Sequence, residues 1–241
     1  MYKVILAALS LSLLVACGEE KAKGNLEITG NIKGLKKGKL YIQKVQDTTL
    51  IALDTIILNG ESSFKSNINI DSPEMLYLYV DRGVTNSIDN NLLFFAEPGK
   101  INIDTDLEFF LANAKVTGSK NHDLYNDYKG IISKFNDQQL EYLKDEVLAL
   151  KNKKNISAEN AKKQDALLKK RYLYAANYAL THADKEVAPY IALTDIYDMN
   201  LKYLDTIQKS MSPEVAKSKY GQKFTQFLKD RKANEGTETK K

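Results

Sequence analysis

The stretch Lys115–Phe135, KVTGSKNHDLYNDYKGIISKF, decides the fold, because the hydrophobic period changes inside it. Val116 closes a run in which apolar and polar residues alternate, the pattern of half-buried strands. Beyond Gly118-Ser119 the apolar residues recur at three- and four-residue intervals, the period of one helix face. Leu124, Tyr128, Ile131 and Phe135 begin that face, and Leu143, Val147 and Leu150 extend it towards Lys153. Ser119 is a residue type that accepts from the open N–H groups of a first helical turn. The chain therefore reads as α+β: an N-terminal antiparallel β-sandwich-like domain over 26–118, then a C-terminal helical region over 119–232 with a long antiparallel helix pair.

Upstream of the switch the strand signals are local. Leu26-Glu27-Ile28-Thr29-Gly30-Asn31-Ile32 alternates, Gly34 to Gly38 supplies a turn, and Leu40 to Val45 follows. Ile51 to Leu58, Asn59-Gly60 and Phe64 to Ile70 read as a tight hairpin, because Asn-Gly takes the positive φ angles such a turn needs. Met75 to Val80 is a further strand. Leu92 to Ala96, the turn Glu97-Pro98-Gly99-Lys100 and Ile101 to Asp104 read as a second hairpin.

Downstream, Asn121 to Lys153 predicts one long helix, or two broken near Asn136-Asp137. Ser157 is placed as the N-cap of a partner running to about His182, with Leu168, Tyr172, Ala175, Ala176 and Ala179 on one face. Pro189 suits the first turn of a helix over 190–197. Ser212-Pro213 opens a final helix to about Lys232, leaving 233–241 as a disordered tail.

The first seventeen residues, MYKVILAALSLSLLVAC, set location. Lys3 gives a positive start, Val4 to Ala16 a short apolar run, and Leu14-Val15-Ala16-Cys17 a small residue followed by cysteine. The run is too short for a spanning helix, which needs about 20 apolar residues. Residues 1–16 are thus expected to be a lipoprotein signal peptide, with Cys17 carrying diacylglycerol and an N-acyl chain such as palmitate, and 17–25 a lipidated tether. Several acyl chains anchor firmly where one does not. The expected location is the bacterial outer membrane, facing either the periplasm or the cell surface. Glu19 and Glu20 resemble the acidic export signals of surface-displayed lipoproteins.

Cys17 is the single cysteine of the 241 residues, which leaves no thiol pair for a disulfide or a CxxC redox motif. The formal charge is +4, yet the only arginines are Arg82, Arg171 and Arg231, and the lysines are interspersed with acids. That distribution lacks the concentrated basic face of a nucleic-acid reader. His122 and His182 lack partners at metal-ligand spacing, and no metal or cofactor is expected. His122 is read as local capping at a helix start, and His182 as a favourable charge at a helix end. Asp104 and Asp106 read as a solvated turn, since no glycine-bearing calcium loop surrounds them. Ser119 sits in no GxSxG elbow, so no catalytic residue is assigned. Tyr77 and Tyr79 share a strand face by period two and are the candidates for stacking on a glycan or peptide. Tyr128 and Tyr172 are read as packing.

Several motifs carry a family resemblance: Ile28 to Ile32, Gly38 with Leu40-Tyr41-Ile42, Asp54-Thr55 with Asn59-Gly60 and Phe64, Phe95 with Glu97-Pro98-Gly99 and Ile101, and Val116 to Ser119 with Asn121 and Tyr125. Together they resemble a domain of unknown function, family 4369. It is found N-terminal to thioredoxin-like domains of the alkyl hydroperoxide reductase or ResA/TlpA type in Gram-negative lipoproteins. Ala188-Pro189-Tyr190 and Ser218-Lys219-Tyr220-Gly221 are similar to the segments that lead towards the redox domain there. With no tryptophan and no CxxC, the resemblance here implies the N-terminal unit without the thioredoxin domain. The expected function is a non-catalytic envelope binding module with membrane lipid and an envelope protein as partners. The alternative is an accessory to a separate thioredoxin-like redox or nutrient-uptake system.

Overall fold

The computed structural model describes residues 24–83 and 88–238. The leader, Cys17 and most of the tether lie outside the described residues. Eight strands form two four-stranded sheets: β1 (Leu26–Lys33), β2 (Lys37–Gln46), β3 (Thr49–Asn59), β4 (Ser63–Ile68), β5 (Glu74–Asp81), β6 (Asn91–Ala96), β7 (Gly99–Asp106) and β8 (Lys115–Thr117). The sheets run in the orders β4-β1-β7-β8 and β3-β2-β5-β6. Their inner faces meet in one core built from alternate residues, among them Leu26, Ile28, Ile101 and Ile103 against Leu40, Ile42, Leu76, Leu78 and Phe94.

Both expected hairpins are instead corners between the sheets. β3 pairs with β2, whereas β4 pairs with β1. Gly60 does take positive φ, at 109°, and its N–H is held 2.7 Å from the Lys36 carbonyl. Leu58 and Phe64 flank that turn and both need the same interior, which a strand crossing to the facing sheet satisfies. The Glu97-Pro98 link does likewise: β6 pairs with β5, while β7 lies parallel to β1. That one parallel pair departs from the all-antiparallel expectation. Gly30 makes the middle of β1 possible, because a Cβ there would stand 2.0 Å from the Ile103 carbonyl oxygen and 2.7 Å from the Phe64 ring.

The period change falls where expected. α1 (Lys120–Lys151) is one unbroken helix of 32 residues, about 48 Å long. Ser119 caps it, accepting from the His122 N–H at 3.0 Å. α2 (Ser157–Thr181) returns antiparallel; its N-cap position is Ile156, and Ser157 lies inside the helix with its N–H on Asn155 Oδ1. α3 (Val187–Thr194) starts before Pro189 and ends short of Tyr197. α4 (Leu201–Ser210), capped by Asn200, is an element the sequence reading missed. Ser212 caps the short α5 (Pro213–Lys217), and α6 (Lys219–Glu238) continues as helix past Lys232, through much of the expected tail. A second core of Tyr128, Ile132, Ala175, Ala179, Ile191, Leu204, Ile207 and Phe224 holds the helices together. Met75 and Phe95, from the outer face of the second sheet, belong to that core. Among the described residues no helix is long and apolar enough to cross a membrane.

Candidate functional site

Where the helices meet the sheet, the polar groups close on one another. The Glu97 carboxylate accepts from the Lys120 N–H at 2.7 Å and the Asn121 N–H at 3.2 Å, an anion at the positive end of α1. The Asn121 side chain donates to both Glu97 Oε2 and Glu186 Oε2 at 2.9 Å and accepts from the Val187 N–H at 2.9 Å. One buried amide thus ties the β6–β7 corner, the start of α1 and the start of α3. On the other side Tyr220 accepts from the buried Met75 N–H at 3.0 Å, Ser72 accepts from the Lys219 N–H, and Lys219 pairs with the buried Glu74.

His122 belongs to this joint and is buried, not a solvated cap. Its Nδ1 accepts from the Phe95 N–H at 3.2 Å, which closes the sheet edge against α1. Nε2 lies 2.8 Å from Asn126 Nδ2; because this tautomer places the proton on Nε2, the pair is satisfied with the Asn126 amide turned over so that its oxygen accepts. Burial holds the imidazole below its ordinary pKa, and Asp123 opposes that only in part. His182 is the C-cap of α2; Nδ1 lies 2.9 Å from the Tyr178 carbonyl oxygen and the ring stacks on Tyr178.

Tyr77 and Tyr79 stand on one face of β5, the outer face of their sheet. Tyr79 meets Tyr41 with ring centroids 5.9 Å apart. Tyr77 lies next to the aromatic group of the joint, where it helps to raise the hydroxyl pKa values of Tyr125, Tyr190 and Tyr220. There Phe95, Tyr190 and Tyr220 pack edge to face, and Tyr125 joins through Tyr190. Burial is the main cause of those shifts, and Tyr125 reaches about 12. The Tyr128 hydroxyl donates to Asp195 at 2.8 Å and that of Tyr172 to Asp198 at 2.8 Å, so these phenols do more than pack.

An open concave surface lies at one end of the sandwich. Two adjoining open hollows of about 650 and 350 Å³ flank Phe109, bounded by Lys33 at the end of β1 and Gly34 after it, Arg82 after β5, and the loop from Asp106 to Asn113. Asp106 fixes that loop, accepting from the Phe109 N–H at 2.6 Å and from Asn113 Nδ2 at 2.5 Å. The Asn113 bond is the larger cause of its lowered pKa, followed by that of Phe109. Phe109 is 54% exposed on this braced loop. The Nε of Arg82 is buried and has no hydrogen-bond partner among the described residues. The positive charge of Arg82 beside an exposed aromatic ring suits a carboxylate next to an apolar side chain.

Sequence reading missed this groove, although its signal was present in Arg82, one of so few arginines. Asp104 accepts from the Asn31 N–H and from Asn102, as a solvated strand end does. Among the described residues no group of three or more His, Cys, Asp or Glu could hold a metal ion. Cys17, the sequence-assigned lipidation site, lies outside the described residues.

Residues 26–125 match the family model described as Domain of unknown function (DUF4369), which takes in the β-sandwich and the first turns of α1. No curated protein and no solved structure matches the chain.

Proposed function

We propose that this chain is a non-catalytic protein-interaction module held at the bacterial envelope by acylated Cys17. The membrane half of the reading rests on the order of the first seventeen residues. The interaction half is carried by the groove around Phe109 and Arg82. Aromatic and arginine side chains dominate the energetics of protein interfaces, and a braced loop loses little entropy when it is covered. The mixed lining of Lys33, Arg82 and Glu108 around apolar Phe109 and Leu107 favours a polypeptide segment with a carboxylate beside an apolar side chain. The narrower role of accessory to a separate thioredoxin-like or uptake system uses the same surface, and the identity of the captured partner decides it.

Site-specific photo-crosslinking in intact cells tests the groove. A photoreactive residue at 109 is expected to give a discrete adduct with another envelope protein, and Arg82→Ala to lower its yield at least fivefold. The same probe at Lys229 on α6 should give none. Adducts of equal yield and pattern from both positions, or none from 109, would overturn the reading.

A further inference from the structure

The helix pair reaches beyond the body of the protein. The helical core takes residues of α1 up to Phe135 and of α2 from Tyr172 onward. Asn136–Lys151, about 24 Å of α1, therefore stands clear of it with the start of α2. Tyr142, Glu146 and Ala149 of α1 are half-buried along the seam with α2, and Asn160 of α2 donates to the Tyr142 carbonyl at 2.8 Å. Next to that seam lies a second stripe. Leu140, Leu143, Val147 and Leu150 follow at intervals of three, four and three, each between 45% and 62% exposed. On α2, Leu168 is exposed exactly one heptad before Ala175, which is buried under the other helices, so an apolar face continues past the point where the fold covers it. Monomers rarely leave a connected apolar patch of several hundred Å² uncovered.

We infer that a second copy of this chain covers the Leu140–Leu150 stripe, the two projecting helix pairs joining in parallel as a four-helix bundle. Charge pattern selects this occupant and this direction. With Leu140 and Val147 at one core position of the heptad and Leu143 and Leu150 at the other, Lys144 and Lys151 flank one side, and Gln139 and Glu146 flank the other. In a parallel pair Glu146 lies across from Lys151 of the second copy, and Gln139 across from Lys144. An antiparallel pair sets Lys144 beside Lys144 and Glu146 beside Glu146, which is repulsive. The parallel arrangement is isologous, so it closes at two copies. It also keeps both β-sandwiches on one side, as two copies held by the same membrane require. The inference goes beyond the groove reading and stands on the helix pair alone, so failure of one leaves the other in place.

Disulfide trapping of the full chain in intact cells provides the test, with the parent chain, whose one cysteine is Cys17, as background. Leu143→Cys and Val147→Cys are each expected to give a covalent dimer on mild oxidation. Asp145→Cys, on the opposite side of α1, should stay at background. The purified full chain in detergent should sediment as a dimer, and Leu143→Glu with Val147→Glu should halve its mass while leaving the helical circular dichroism of the folded chain unchanged, since both side chains are exposed in the single chain; the thermal midpoint should rise with protein concentration for the wild type and not for the variant. A monomeric wild type, a dimer indifferent to the paired substitution, trapping at Asp145→Cys as strong as at Val147→Cys, or adducts of the stripe only with other proteins would each overturn the inference.

Discussion

Replacing Asn121 by alanine should loosen the chain more than any other single change at the joint. Its amide makes three side-chain hydrogen bonds at 2.9 Å, two to carboxylates and one from a buried backbone N–H. Leaving the Val187 N–H without a partner costs about 1–3 kcal/mol, and each lost bond to a charged acceptor about 1.5–3 kcal/mol. These terms are not additive, because Glu97 keeps its two backbone donors from α1 and side chains relax. A net loss of about 3–5 kcal/mol is expected, a large part of the 5–15 kcal/mol typical of a whole domain. With a urea slope of about 2 kcal/mol/M, the midpoint followed by circular dichroism should fall by about 1.5–2.5 M. Asn121→Asp keeps the acceptor for Val187 but turns a third carboxylate towards Glu97 and Glu186, so its cost should grow as pH rises through about 4. Glu97→Ala combined with Asn121→Ala should cost less than the two separately. A midpoint shift below about 0.3 M for Asn121→Ala, or strict additivity with Glu97→Ala, would refute the idea that one amide ties the three elements.

Other consequences are equally open to measurement. His122 is held neutral in the folded state by burial, so the unfolded chain takes up a proton first as pH falls; stability should be fully present above about pH 6.5 and decline below it by up to about 1.4 kcal/mol per pH unit. His122→Gln should flatten the curve of urea midpoint against pH between about 6.5 and 5, and an unchanged slope would contradict this. Tyr220→Phe removes the acceptor of the buried Met75 N–H and should cost about 1–3 kcal/mol by urea unfolding, with no loss in helix content. Gly30→Ala places a methyl group against the Ile103 carbonyl and the Phe64 ring, and should destabilise by about 1–3 kcal/mol or prevent folding altogether. A wild-type midpoint for that variant would show that β1 and β7 are not as close as described.

The architecture was legible in the sequence wherever a pattern is local. The switch at Gly118-Ser119 placed the β and α parts correctly, because periods of two and of three to four depend only on which side of each element is covered. The sheet connections were not legible. Asn59-Gly60 specifies a sharp turn but not which sheet the next strand joins, and that choice depends on Leu58 and Phe64 sharing a core with residues far away in sequence. The same limit hid the role of His122, whose partner Phe95 lies 27 positions earlier. Asn121 looked like any polar residue in a first turn, since nothing near it in sequence reveals that Glu97 and Glu186 both reach it. α4 was a different kind of omission, as Asn200 with Leu201, Leu204 and Ile207 carried a cap and a helical spacing that could have been read. The groove residues Arg82 and Phe109 stand in different loops and become neighbours only when the sandwich closes.

The proposed module depends on being held where its partner is, and the dependence of the adduct at position 109 on Cys17 measures this most directly. Cells carrying the photoreactive residue at 109 would be compared with and without Cys17→Ala at matched protein levels. The adduct is expected with Cys17 present and at least tenfold weaker in the Cys17→Ala chain, which should also leave the membrane fraction. An undiminished adduct in the Cys17→Ala chain, or a chain that stays membrane-bound and normally processed without Cys17, would contradict the anchored module.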